Sequence, residues 1–250
     1  MVTFRISTLN LEQDHKRWDE RRYLVLAELG RLKSDVFCMN EVCIPRQTGR
    51  WLQVEGGRHA GHEYSLAQQS RPGAMSLVDG EGVLTRFNIV ETANLDYRAG
   101  DAVAQVARLQ VEGKLVDVYV THLFRSTGED SLRTFQAQRL LEWTKTRDDV
   151  DAKIVCGDFN ATLDMPSAAL MASEFTPTQT APTAFTPLAD VDGEPSHPYW
   201  ERFDRCIDYI WVSDHVGVVE SGVCFAEPSP DDPTLWPSDH AGVWADLEFA

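Results

Sequence analysis

The chain has 250 residues, 43% hydrophobic and 25% charged, which is long enough to bury a full core and ordinary for a soluble globular protein. A formal net charge of −16 disfavours any protein that grips nucleic acid over a broad basic face, but not one with a local basic rim and metal-neutralised carboxylates. No apolar run reaches ~18 residues, so nothing spans a membrane, and Met1 to Ile6 enter strand alternation without a secretory-signal layout, which predicts a cytoplasmic protein.

Thr3 to Leu11 alternates, Phe4, Ile6 and Thr8 against Arg5 and Ser7, as a half-buried strand does. Arg17 to Lys33 carries Trp18, Val25, Leu29 and Leu32 at helical spacing, which predicts an amphipathic helix over that strand. Val36 to Val42 is a short continuous apolar run, the mark of a buried strand. A loop-rich stretch follows, and then Met75 to Val78 and Gly82 to Leu84 flank Asp79-Gly80 as the arms of a hairpin. Strands are predicted near Ile89 to Tyr97, Ala102 to Val111 and Leu115 to Leu123, then a second helix through Leu132, Phe135, Leu140 and Trp143. A strand from Lys153 to Cys156 enters Gly157-Asp158-Phe159-Asn160. A Pro- and Thr-rich loop covers Thr176 to Pro198, and strands return at Cys206 to Val212, Val216 to Phe225 and Gly242 to Phe249.

Strands dominate and helices come singly between groups of them, so a two-sheet α/β sandwich fits better than a βαβ repeat. No internal repeat or linker divides the chain, which predicts one domain over residues 1–250. Cys38, Cys43, Cys156, Cys206 and Cys224 lack CxxC spacing, and four of them lie in apolar strand-like runs. They read as buried free thiols, neither disulfides nor zinc ligands.

Metal-assisted phosphoryl chemistry needs hard oxygen ligands for Mg²⁺ or Mn²⁺, a positioned water and donors for the developing charge. Candidate parts stand at strand ends: Asn10, Glu41, His122, Asp158 with Asn160, Asp208, and Asp239 with His240. Each alone is weak. An Asn or Asp closing a strand is commonly a turn former, and His122 after Val118-Tyr119-Val120-Thr121 reads equally as a hydrogen-bonded core histidine. Glu41 says more, because a carboxylate ending an apolar strand must reach water or pair with something. His15, His59, His62, His197 and His215 carry no functional signal.

Taken in order, Asn10, Glu41, Thr121-His122-Leu123, Gly157-Asp158-Phe159-Asn160, Arg205-Cys206-Ile207-Asp208-Tyr209-Ile210 and Ser238-Asp239-His240 resemble the endonuclease/exonuclease/phosphatase superfamily, the group of pancreatic deoxyribonuclease, deadenylases, neutral sphingomyelinases and inositol polyphosphate 5-phosphatases. The resemblance runs from residue 3 to residue 249. It implies a four-layer α/β sandwich, two mostly antiparallel sheets packed face to face with flanking helices, and a site at one end between the sheets. By the same likeness Glu41 is the principal metal ligand, helped by Asn10 and Asp239, for Mg²⁺ or Mn²⁺. Asp158 and Asn160 match the pair that orients water and phosphate. His240, with Asp208 as its partner carboxylate, matches the histidine that contacts the scissile phosphate or helps activate water. His122 matches the one that stabilises phosphate charge or protonates the leaving group. The number of metals, and whether Asp158 or His240 takes the water proton, stay open.

Departures narrow the field. Asn40 precedes Glu41 where many members have Gln, and Glu12 is a longer acid where several nucleases carry Asp or Asn, an auxiliary metal contact at most. The Thr-His-Leu block is unlike that of apurinic endonucleases, which argues against DNA repair. Pro45 to Ala74 holds Arg46, Arg50, Arg58 and Arg71 against Glu55 and Glu63, a local basic excess that suits a phosphate-facing rim or an ordinary solvated loop. Arg46 and Arg86 are the candidates to position a phosphoester, whether nucleotide, oligonucleotide, phosphorylated small molecule or lipid head group. Trp236 is the best stacking wall among Trp51, Tyr199, Trp200 and itself. With so acidic a body, a small, short or single-stranded substrate is expected, against the alternative of a nonspecific duplex-DNA endonuclease. A non-catalytic module of this fold is disfavoured because Glu41, Asp158, Asn160, Asp239 and His240 are all present, and no G-x-S-x-G elbow supports a serine esterase.

Overall fold

The computed structural model describes residues 3–125, 130–183 and 205–249. Its elements are β1 (Thr3–Asn10), α1 (Trp18–Leu32), β2 (Val36–Asn40), α2 (Thr48–Ala60), β3 (Ser65–Ser70), β4 (Gly80–Thr85), β5 (Asn88–Asp96), β6 (Val103–Val111), β7 (Lys114–His122), α3 (Ser131–Lys145), β8 (Ala152–Asp158), α4 (Pro166–Met171), β9 (Thr176–Pro177), β10 (Asp208–Val212), β11 (Val216–Cys224) and β12 (Gly242–Phe249). They form two six-stranded sheets, ordered β11-β12-β1-β2-β4-β3 and β5-β6-β7-β8-β10-β9. In each, one central pair is parallel, β1 with β2 and β7 with β8. The other described pairings are antiparallel.

Strand alternation builds four layers from these two sheets. Ile6, Val36, Cys38, Val118, Val120, Ile154, Cys156, Ile210 and Ala245 point inward and fill the space between the sheets. The opposite parity, Leu9, Phe37, Met39 and Leu84, meets Val25, Leu29 and Leu32 of α1 and Leu52 of α2. Tyr119, Val155, Tyr209 and Trp211 meet Ala137 and Leu140 of α3 and Met171 of α4. Both faces of the central strands are covered, which is why they read as continuous apolar runs. No helix among the described residues is long and apolar enough to cross a membrane. The cysteines are free, and all but half-buried Cys206 are buried.

Two expectations fail. Met75 to Val78 is not a hairpin arm: Gly73–Leu77 is a 3₁₀ turn, and β4 pairs with β3 and β2. A Cβ on Gly80 would stand 2.1 Å from the Gln69 carbonyl oxygen, so this glycine permits close strand pairing instead of a two-residue turn. The stretch after β2 is not mainly loop either, since it folds as α2 and β3. Gly49, Gly56 and Gly57 lower the helix propensity of α2 and hide it from a reading by periodicity. They serve packing: a Cβ on Gly57 would lie 2.7 Å from the His62 carbonyl oxygen. His197, Tyr199 and Trp200 lie outside the described residues.

Candidate active site

Strand direction gathers the polar strand ends. β1, β2, β7 and β8 finish at one end of the sandwich, while β10 and β12 run antiparallel to their neighbours and start there. Register then sets Asn10 beside Asn40, and His122 beside Asp158 beside Asp208. Asp239 and His240 arrive on the segment that leads into β12, where the Ser238 hydroxyl donates to the Asn10 carbonyl at 2.5 Å and accepts from the His240 amide at 3.2 Å.

Asp158 Oδ2 stands at the centre, 3.2 Å from Asn10 Nδ2, 3.4 Å from His122 Nε2 and 3.8 Å from His240 Nε2. The same Asn10 amide lies 3.3 Å from Glu41 Oε1, and His122 Nδ1 lies 3.8 Å from that oxygen. Asn160 donates its backbone N–H to Asp158 Oδ1 at 2.8 Å and stands with Nδ2 3.0 Å from His122 Nε2. An amide donating to Nε2 assigns the His122 proton to Nδ1, which has no hydrogen-bond partner. His240 Nδ1 donates to Asp208 Oδ2 at 2.9 Å, which holds a proton on Nδ1 and turns Nε2 toward Asp158. Glu12, Glu41 and Asn160 hold left-handed φ values of 53°, 54° and 49°, a strain of about 1–2 kcal/mol each that the surrounding bonds sustain.

The electrostatics separate the two imidazoles. Burial drives His122 well below its ordinary pKa, helped by the positive Arg71 and His240, so it stays neutral. Burial also works against a charged His240, but Asp208, Asp239 and Asp158 outweigh it and raise it well above the ordinary value. Three acids move up: Glu41 to about 7 by burial and by Asp239 and Asp79, Asp158 to about 7 by burial and Asp208, and Glu12 to about 8 by burial and Asp239. Such a cluster lacks positive charge.

A divalent cation fits these residues. Glu12 Oε2 is buried without a partner, the donors are carboxylate, amide and imidazole, and oxygens of Asp158 and Asp208 and a His240 nitrogen lie within 4.8 Å of one another. The Glu41 side chain remains 21% exposed, open to the cleft.

Asn10, Glu41, His122, Asp158, Asn160, Asp208, Asp239 and His240 are thus brought together. Arg86 is not. Arg86 follows β4 at the opposite end, about 13 Å of strand away, ion-paired with Asp35. That corrects its expected place, because the antiparallel run of β4 carries its C-terminal end away from Glu41. Arg46 is exposed and pairs with Asp19 at 2.5 Å, and Trp236 is half-buried beside the Ser238 segment. Of the two arginines whose charge acts on His122, Arg71 and Arg125, the former is bonded to the Asp101 carbonyl at 3.0 Å and paired with Asp79 at 3.4 Å. Nothing in the sequence set it apart from three neighbouring arginines. Arg21, also missed, is fully buried and donates to the carbonyls of Leu11, Glu12, Gln13, His15 and Pro237, tying the Glu12 loop to the segment before Asp239. Its signal was legible, an arginine three residues after Trp18 and four before Val25 on the apolar stripe.

Comparison with known proteins bears on the fold and the family. Human Nocturnin is 25% identical over 260 residues, covering 93% of this chain, and the chain spans 59% of that protein's length. The structure of the human Nocturnin catalytic domain with bound sulfate superposes with a TM-score of 0.73 over 99% of this chain and 95% of that one. At 17–18% identity the fold is shared with D. rerio TDP2 (TM-score 0.79, 99% and 100% covered) and with Bacteroides thetaiotaomicron mannosyl-6-phosphatase (0.72, 98% and 100%). The Endonuclease/Exonuclease/phosphatase family pattern matches residues 7–240, and the chain belongs to that family.

Proposed function

We propose that the protein hydrolyses a phosphoester with Mg²⁺ or Mn²⁺, on a small, short or single-stranded substrate. The observation that carries this is Asp158 Oδ2, a buried acceptor facing Asn10, one neutral and one charged imidazole. Glu41, Asn10 and Asp239, with Glu12 beside them, would hold the ion, which when bound offsets phosphoryl charge and makes water more acidic. Asp158 and Asn160 orient the attacking water, and Asp158 can accept its proton. His240, held by Asp208, presents Nε2–H to a phosphoryl oxygen. His122 offers Nδ1–H to the same charge or to the leaving oxygen. Arg71 adds a cation on the His122 side, with Arg46 and Trp236 at the rim.

The human Nocturnin catalytic domain takes a sulfate, a tetrahedral anion like phosphate, which supports the substrate class. The charge of −16 supports a substrate contacted at few phosphates. The test is a panel of single- and double-stranded DNA, RNA, a chromogenic diester and phosphomonoesters, each with Mg²⁺ and Mn²⁺. Turnover of small or single-stranded members is expected, with a shallow salt dependence. Duplex binding whose slope against log salt is roughly −6 or steeper, with plasmid cleavage, would overturn the substrate preference. Full turnover after exhaustive chelation would overturn the metal chemistry.

A further inference from the structure

Asn40, the last residue of β2, lies fully buried between the sheets, with its amide bonded on both sides. Its Oδ1 accepts the Asp158 amide proton at 2.9 Å, and its Nδ2 donates to the Thr121 carbonyl at 2.9 Å and to Glu81 Oε2 at 2.5 Å. The positions of these partners matter. Asp158 is the central carboxylate, Thr121 precedes His122, and Asn40 precedes Glu41. One amide therefore bridges the first sheet to β7 and β8 just beneath the site. Gly157, at φ +129°, makes the room: a Cβ there would stand 2.0 Å from the Thr121 carbonyl oxygen and 2.9 Å from Asn40 Oδ1.

Glu81 is the unexplained member. It sits in β4 with no exposed surface, and its Oε1 has no hydrogen-bond partner. Burial pushes its pKa up to about 8. An acid in a sandwich core is costly unless its bonds return something. Its one side-chain bond goes to the second N–H of Asn40, which would otherwise be a buried donor without an acceptor.

We propose that Glu81 is a positioning residue: by holding the Asn40 amide it sets the Asp158 backbone and the strand ends that carry Glu41 and His122. The effect on turnover rests on the hydrolase reading above, whereas the effect on the Asp158 amide does not. A methionine at 81 keeps the volume but offers no strong acceptor. Asn40 then turns toward other partners and releases the Asp158 N–H. A glutamine keeps an acceptor for Asn40, and its NH₂ falls where Oε1 has no donor to lose.

The experiment is amide hydrogen exchange at Asp158, with kcat and KM on whichever substrate the panel yields, for Glu81→Met, Glu81→Gln, Asn40→Ala and the double variant Glu81→Met/Asn40→Ala. In Glu81→Met, exchange at Asp158 should rise roughly tenfold. Its kcat should fall ~10–100-fold with KM within about twofold. Glu81→Gln should restore both, and the double variant should be no worse than Asn40→Ala. Unchanged exchange and kcat in Glu81→Met, or a double variant whose defects multiply, would overturn the proposal. If Glu81→Met does not fold, Glu81→Gln decides: exchange like that of Asn40→Ala overturns it, and wild-type exchange upholds it. A wild-type protein that turns over nothing on the panel would sink the hydrolase reading, while the exchange pattern would still judge Glu81.

Discussion

On the outer face of the second sheet Asp117 is fully buried and gripped by two arginines, Arg108 Nε at 2.8 Å and Arg147 Nε at 2.8 Å, which in turn reach Asp149 and Glu91. At the site end Asp158 is equally buried, yet it is met by an amide, an imidazole and a backbone N–H. In the first region two guanidinium groups meet the buried carboxylate directly, so the acid is a structural element. In the second the donors are neutral or shared, the acids crowd one another, and their pKa values climb to about 7 and 8. The two regions thus differ in whether the protein itself supplies the charge that a buried acid needs.

That contrast can be broken by experiment. The largest expected effect is at His240. His240→Ala should lower turnover on the order of 10³-fold, Asp208→Asn should be nearly as slow, and the double variant should be little worse than His240→Ala, as for groups acting as a unit. Effects that multiply would separate Asp208 from His240. Glu41→Gln should keep the fold and cut turnover by at least ~100-fold, with weaker Mn²⁺ binding by calorimetry; unaltered Mn²⁺ affinity would remove Glu41 from the ligands.

At the other region, Asp117→Asn should cost about 3 kcal/mol in urea unfolding, because two largely buried arginines lose their shared partner, and should leave kcat within about twofold. A catalytic loss there would erase the distinction between the two regions.

A smaller effect concerns pH. Glu41, Asp158 and Glu12 hold protons in the folded metal-free protein up to about 7 or 8, whereas the unfolded chain releases them near the ordinary carboxylate range. The folded state therefore binds more protons across that window. Stability should fall as pH rises from about 5 to about 8, and Mg²⁺ should restore more of it at the upper end. Thermal unfolding with and without the ion measures this, and a metal-free Tm that climbs over the same range would contradict it. Smallest, Arg46→Ala should raise KM a few-fold and Arg86→Ala should not change it, as their places at opposite ends of the first sheet require; a KM effect confined to Arg86→Ala would bring that end into substrate binding.

Much of the layout was legible in the chain. Period-2 and period-3.6 patterns marked most strands, α1 and α3, because apolar burial writes those periods directly. The hidden elements were those whose residues answer to a partner elsewhere in the fold: α2, whose glycines admit neighbouring backbone, and β3, which read as loop but pairs with β4 from Gly80 onward. Among the candidate site residues, Glu41 stood out because a carboxylate ending an apolar strand needs a reason, while Asn10, His122, Asp158, Asp208 and His240 were singled out by their order along the chain and the family resemblance it carries. Arg71 and Glu81 were not. The one was a rim arginine among several, and the other sat between two glycines.

By itself the sequence determined which residue types stand at which strand ends, the hard-oxygen and imidazole character of the group, and an acid excess that disfavours broad nucleic-acid binding. Tertiary structure alone decided that β10 and β12 begin where β1, β2, β7 and β8 end, that Arg86 lies at the far end, and that Asn40 reaches Thr121 and Asp158 across the sandwich while bonded to Glu81 on the neighbouring strand. The reason is strand direction and register. They assign each side chain to an end and a face of the sheet, and they depend on pairing between segments as far apart as Thr8 and Val243, which no local pattern contains.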